Sequence, residues 1–105
     1  FVKQFKVDYA VIGGSALDEE GSLLDFDYLE VKVARAIIEN ARKVILVADR
    51  TKFERSAPIR IGHISEIDVF VTDQLPSKAF ADICESAGVK VVETGARGDI
   101  DSDAA

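Results

Sequence analysis

The sequence predicts an α/β fold, a three-layer sandwich with a mostly parallel sheet packed between helices. Three observations carry that expectation. Apolar runs stand at residues 7–12, 44–48, 68–72 and 89–93, the first three nearly continuous and rich in valine and isoleucine. Continuous rather than alternating apolar character marks strands covered on both faces. Helical patterns separate the first run from the second and the third from the fourth. Strand, helix, strand, repeated, is the order of βαβ units with right-handed crossovers.

The first strand, 7–12, stops at Gly13-Gly14. Asp27 caps the following helix, and Glu30, three residues on, returns the bond in a capping box. Phe26 before the cap and Val31 after it suit a hydrophobic staple. Val31, Ala34, Ile37, Ile38 and Ala41 recur at helical spacing and form its buried face, while Lys32, Arg35 and Glu39 fall mostly elsewhere. Arg42 and Lys43 sit at its end, where positive charge suits the helix dipole. The second strand, 44–48, ends at Asp49. No long helical pattern occupies 52–67, although 57–61 can hold a short extended piece. After the third strand, 68–72, a second helix runs from Ser77, as cap, to Ala87. Phe80, Ile83, Cys84 and Ala87 form its stripe, and Gly88 stops it. Residues 1–94 read as one unit, and 95–105, small, acidic and glycine-containing, as a disordered tail. Its Arg97-Gly98-Asp99 matches an adhesion tripeptide, for which chance is the better account here.

A chain of 105 residues holds one domain. The net charge of −6 repels a phosphate backbone, which argues against DNA contact by this segment itself. Cys84 is the sole cysteine, so no intrachain disulfide forms, and a reducing, cytoplasmic setting fits. It lies on an apolar stripe, far in sequence from the lone histidine, His63, and reads as structural rather than nucleophilic. No apolar run reaches membrane-spanning length. The chain opens on Phe1-Val-Lys-Gln-Phe-Lys without methionine and reads as a piece of a longer protein. Neither a P-loop nor a spaced dinucleotide fingerprint occurs, so no cofactor is expected, and no metal-ligand spacing occurs either.

In open α/β sheets ligands gather beyond the carboxyl ends of the strands. That rim would carry Gly13, Gly14 and Ser15 after the first strand, Asp49 and Lys52 after the second, and Thr72 and Asp73 after the third. Adjacent glycines admit a ligand close to the backbone and free amide groups for an anion. Taken alone, the pair is better explained as a tight turn leaving the strand. Ser15 adds a hydroxyl donor. Lys52 is a flexible point charge able to reach a phosphate, or simply solvated. Asp27 and Glu30 are occupied by the capping box. Asp25, in an acidic loop, has no such task and can accept hydrogen bonds from ligand hydroxyls. Asp18, Glu19 and Glu20 read as an exposed loop.

Several motifs, taken together, resemble the effector-sensing domains of DeoR-family transcriptional repressors. They are Val7-Asp-Tyr-Ala-Val-Ile-Gly-Gly-Ser15, Gly21-Ser-Leu-Leu-Asp-Phe-Asp27, Arg35-Ala-Ile-Ile-Glu-Asn40, Ala48-Asp-Arg-Thr-Lys-Phe53 and Ile67-Asp-Val-Phe-Val-Thr-Asp73. The likeness runs from about Val7 to Thr94. It implies a fold related to ribose-5-phosphate isomerase, glucosamine-6-phosphate deaminase and the CoA transferases, truncated here on its N-terminal side. It implies a phosphorylated polyol or sugar as effector, and the motifs are most similar to those of members that sense glycerol 3-phosphate. By carry-over the effector would lie against Gly13, Gly14, Asp25 and Lys52, with Glu30, Ser15 and Asp49 nearby. Operator DNA would be bound only through a helix-turn-helix domain that this segment lacks. Also lacking is the sensor's first part, with its phosphate-binding loop, which leaves an exposed apolar sheet edge or face suited to a homo-oligomer.

The rival reading is a sugar-phosphate isomerase-like enzyme, for which Asp25, Glu30, Asp49 and Asp73 supply candidate bases. The motifs match the sensors better. A phospho-receiver needs an acidic pair after its first strand to hold magnesium, and Gly13-Gly14 stand there instead.

Overall fold

The structure is a computed structural model and describes residues 7–95. Strands β1 (Val7–Ile12), β2 (Ala16–Leu17) and β3 (Ser22–Asp25) lead into helix α1 (Tyr28–Asn40), which passes directly into β4 (Ala41–Val47). A 3-10 turn (Arg50–Glu54), β5 (Ile59–His63), a second 3-10 turn (Ile64–Glu66), β6 (Val69–Thr72), helix α2 (Lys78–Ala87) and β7 (Lys90–Glu93) follow. β1, β4, β6 and β7 lie side by side in that order, all parallel, while β2, β3 and β5 form a separate antiparallel sheet. The α/β class and the mostly parallel sheet expected from the apolar runs are present. The tripeptide at 97–99 and most of the expected tail lie outside the described residues.

The parallel strands add in one direction, from β1 to β7. Right-handed connections between strands laid down in one direction all fall on the same face of a sheet, and burial follows that rule. Ile12, Val44, Leu46 and Phe70 enter a core shared with Val31 and Ala34 of α1, Phe80 and Cys84 of α2, and Leu17, Leu23 and Ile61 of the small sheet. Side chains alternate across a strand. The register therefore sets Val11, Ile45 and Val69 in one row and Val47, Val71 and Val92 in another on the opposite face. There Tyr9, Val11 and Val47 are 70%, 66% and 47% exposed. The expectation of strands covered on both faces is corrected. Both faces are apolar, but among the described residues helices and small sheet stand on one side only.

Helix α1 begins at the expected cap by a different arrangement. Asp27 accepts a hydrogen bond from the Leu29 amide at 2.8 Å. The reciprocal bond comes from another side chain, because the Asp27 amide donates to Asp25 Oδ1 at 3.2 Å rather than to Glu30. Phe26 lies exposed while Val31 is buried, so no staple covers it. The helix stops at Asn40, and Ala41 is already extended (φ −92°, ψ 146°). Arg42 and Lys43 consequently belong to β4, and the last turn of α1 carries no basic residue. For α2 the expected cap and stop hold, and Phe80 and Cys84 of the expected stripe are buried with Ile83 half-buried, but Ala87 is exposed. Ser77 accepts from the Phe80 amide at 3.1 Å, and Gly88 closes the helix at φ 78°.

Residues 22–25, expected as an acidic loop, are strand β3 at the centre of the small sheet. Asp18 builds the preceding turn by accepting from the amides of Glu20 (2.9 Å) and Ser22 (2.8 Å). Glu19 and Glu20 are exposed, as expected. The extended piece expected at 57–61 is β5, shifted to end at His63. His63 bridges two segments: Nε2 meets the Glu20 carbonyl at 2.9 Å, and Nδ1 accepts from the Ser65 amide at 3.1 Å. A carbonyl can only accept, so Nε2 carries the proton in this arrangement.

Arg35 ties α1 to the second 3-10 turn. It donates to Glu66 Oε1 at 2.8 Å and to the Ile61 carbonyl at 3.2 Å. The Arg35 hydrogen bond holds the Glu66 carboxyl below the usual carboxylate range, and the same contact raises the Arg35 guanidinium. A carboxylate with a depressed folded value contributes stability that is present above its unfolded pKa, about 4.3. That contribution is lost as the pH falls through the folded value. Solvent screens this half-exposed pair, so the effect is modest. Glu66→Gln is expected to flatten the acid limb of the stability profile below about pH 4.3. Urea denaturation between neutral and acid pH reads it; an unchanged limb would rule out this source.

Candidate functional site

The carboxyl ends of β1, β4 and β6 form a rim, and short hydrogen bonds lock its segments together. The Ala48 amide donates to the Val71 carbonyl at 3.1 Å, and the Arg50 amide to Asp73 Oδ1 at 2.7 Å. Asp73 also accepts from the Gln74 amide at 2.8 Å. It thus fixes where the 3-10 turn at Arg50–Glu54 starts, a positioning role that its place after the third strand did not reveal. Asp49 caps that turn through the Thr51 amide (2.9 Å) and the Thr51 hydroxyl. The Thr51 hydroxyl is the main cause that holds the Asp49 carboxyl below the usual range. Phe53 enters the core edge-on to Phe80, with ring centroids 4.9 Å apart. Lys52, half-buried, is carried on this anchored turn, which packs against β2.

The glycine pair has an informative geometry. Neither Gly13 nor Gly14 has a positive φ. A Cβ added at Gly13 would come no closer than 3.7 Å to its nearest neighbour, the Val47 carbonyl oxygen, and at Gly14 the nearest is the Leu24 carbonyl oxygen, also at 3.7 Å. These are ordinary contacts. The fold itself does not require glycine at either position.

Beside Gly13 opens a cavity of about 460 Å³, lined by Val11, Leu29, Val33 and Ile37 on its apolar side and by Asp25, Asp27 and Glu30 on its polar side. Asp25 is only 8% exposed. Its Oδ1 accepts from the Ser15 hydroxyl at 3.1 Å, the Phe26 amide at 2.7 Å and the Asp27 amide at 3.2 Å. Asp25 therefore has the structural task that the sequence assigned to Glu30. Among the described residues Glu30 makes no side-chain hydrogen bond or ion pair, and it is exposed at the cavity wall.

The structure thus sorts the candidate residues into two groups. Gly13, Asp25 and Glu30 share the cavity, with Ser15 hydrogen-bonded to Asp25 from behind. Asp49 and Lys52 belong to the neighbouring 3-10 turn and do not line it, and Gly14 lies outside its wall. Sequence reasoning missed Leu29 and Val33 as lining. Their signal was visible: two large apolar residues one turn apart on α1, off the buried stripe, and 70% and 50% exposed.

The family model of the DeoR C-terminal sensor domain matches residues 1–74. The chain belongs to this family. Among curated relatives, the glycerol-3-phosphate regulon repressor of Haemophilus influenzae is 49% identical over 76 residues, 72% of this chain and 30% of the relative. The repressor of the same name in Escherichia coli is 50% identical over 76 residues, with the same coverage. The HTH-type transcriptional repressor CsqR of Escherichia coli is 33% identical over 92 residues, 88% of this chain and 35% of the relative. The chain spans about a third of the length of these relatives, all of them transcription regulators by name. Among the described residues no helix is long and apolar enough to cross a membrane.

Proposed function

We propose that residues 1–94 are the sensing unit of a cytoplasmic transcriptional repressor and that its effector is a phosphorylated polyol, glycerol 3-phosphate. Gly13 carries the reading. The fold has no need of glycine there, yet the position opens on a cavity whose carboxylates and apolar wall suit a short hydroxylated carbon chain. The names of the relatives at 49% and 50% identity point to the same ligand. In this reading Gly13, Gly14, Ser15, Asp25, Glu30 and Lys52 surround the effector, and Asp49 holds the turn that carries Lys52. The chain acts by binding, without turnover and without a metal or cofactor.

Effector binding relieves repression only if the two states of the repressor bind it with different affinity. Operator contact is assigned to polypeptide beyond the matched third of the relatives, in keeping with the charge of −6 on this segment. The open sheet face with Tyr9, Val11 and Val47 suits a homo-oligomer, which sedimentation velocity reads.

Gly13→Ala separates fold from function. Stability is expected to stay within about 1 kcal/mol, because alanine suits the backbone there. A methyl group intruding on a bound ligand costs about 1–3 kcal/mol, roughly a 5- to 150-fold loss of affinity. Isothermal titration with glycerol 3-phosphate reads the loss. If the wild-type chain and the operator-binding repressor that contains it both ignore glycerol 3-phosphate, the effector is wrong.

A further inference from the structure

We infer that Asp25 selects the ligand's hydroxyl-bearing end, so that the cavity receives the carbon chain and the phosphate stays outside it. This rests on the sensing reading above and adds the orientation of the ligand and the residue that sets its specificity. Three observations bear on it.

The first is charge. Asp25, Asp27 and Glu30 all line the cavity, and among the described residues no lysine or arginine does. A phosphate dianion among these carboxylates would meet like charge with no counterion from the wall. An uncharged hydroxyl end meets acceptors only. The second is the state of Asp25. It is 8% exposed, and three donors converge on Oδ1, whereas Oδ2 accepts no hydrogen bond among the described residues. Oδ2 is therefore free to accept a hydrogen bond from the hydroxyl of a ligand in the cavity that Asp25 lines. Because Ser15, Phe26 and Asp27 already hold the carboxylate, little side-chain freedom is lost when the hydroxyl arrives. The other carboxylates are less suited. Asp27 is engaged at the helix start, and Glu30 is exposed and unanchored.

The third is the wall opposite. Val11, Leu29, Val33 and Ile37 offer hydrocarbon contact along the ligand's carbons but no donor of their own. Apolar contact alone discriminates poorly between a polyol and its deoxygenated analogue, whereas a site built to accept from a hydroxyl rejects the analogue that lacks it. Discrimination therefore falls to Asp25.

The test compares glycerol 3-phosphate with propyl phosphate, which keeps the phosphate and the three-carbon chain but has neither hydroxyl. Isothermal titration of the wild-type chain should favour glycerol 3-phosphate by about 10- to 100-fold, the range for hydrogen bonds to a charged group. In Asp25→Asn the amide oxygen can still serve Ser15 and the two backbone amides, but an NH2 group replaces Oδ2. The preference should shrink to about threefold or less, with propyl phosphate bound as in the wild type. A wild-type readout needs no variant: the Asp25 side-chain carboxyl 13C resonance should move with glycerol 3-phosphate and stay in place with propyl phosphate. Equal wild-type affinities overturn this inference alone. So does an Asp25→Asn variant that keeps the full preference, or one that binds both phosphates more tightly, which would put the phosphate in the cavity. If neither ligand binds the wild-type chain or the operator-binding repressor that contains it, the sensing reading falls with it.

Discussion

Phe70→Ala is expected to destabilise the domain by about 3–5 kcal/mol, the usual cost of truncating a fully buried phenylalanine. Phe70 has no exposed surface. Its ring lies 5.8 Å from Phe80 and 6.3 Å from Phe53, both edge-on. Removing it therefore opens a cavity at the centre of β6 and also takes away two aromatic contacts, each worth about 0.5–1.5 kcal/mol beyond burial. Small domains have total stabilities of about 5–15 kcal/mol, so the variant should unfold at low urea or be largely unfolded without it. Phe53→Ala should cost less, since Phe53 is only partly buried. It should affect ligand binding more, because Phe53 anchors the turn that carries Lys52. Urea denaturation of both variants reads the order. A Phe70→Ala cost under 1 kcal/mol would contradict the assigned core.

What could be read in the chain depended on how far each element imposes its own pattern. β1 matched its apolar run, and α2 matched because its cap, stripe and stop are all local: Ser77, then Phe80 and Cys84, then Gly88. The boundary between α1 and β4 was misplaced because no loop separates them. Arg42 and Lys43 look like the charged end of a helix, yet they sit in a strand whose first residues reach solvent. Of the small sheet only β5 was foreshadowed, by the extended piece at 57–61. β2 has two residues and β3 four, too few for periodicity to show, and the pairing of β3 with β5 joins positions some forty residues apart, as in Ser22 with His63.

At the site, residue types were legible and partnerships were not. Asp25, Asp27 and Glu30 stood out as a carboxylate group, and the motif spacing fits a capping box. Which carboxylate returned the bond to the Asp27 amide was decided by β3. Its pairing with β5 and the Ser15 hydroxyl bring Asp25 against the helix start. Glu30 is then left at the cavity wall. Similarly, the apolar runs of the parallel strands revealed that both faces avoid water but not what covers each. That depends on the direction in which strands are added, a property of the whole connection pattern rather than of any one run.

The same small sheet makes Gly21 the position where alanine should do most damage outside the core. Gly21 has φ 101°, and a Cβ there would stand 2.7 Å from His63 Nε2 and 2.9 Å from Ile64 Cγ2. The left-handed conformation costs an L-residue about 1–2 kcal/mol. Forcing an extra methyl into packed surroundings adds about 1–3 kcal/mol. The clash cannot be relieved cheaply. Ile64 is fully buried, and the Gly21 carbonyl accepts from its amide at 2.7 Å. His63 Nε2 is held at the Glu20 carbonyl. Gly88 supplies the internal comparison, with φ 78° and nothing within 4 Å of an added methyl. Gly88→Ala should therefore show the conformational cost alone, and Gly21→Ala distinctly more. A shifted hairpin also moves β3, and with it Asp25, so Gly21→Ala should weaken effector binding even where the chain stays folded. Gly88→Ala should leave binding alone. Denaturation and titration of the pair read both differences, and equal costs would show that the turn before β3 yields more easily than its contacts imply.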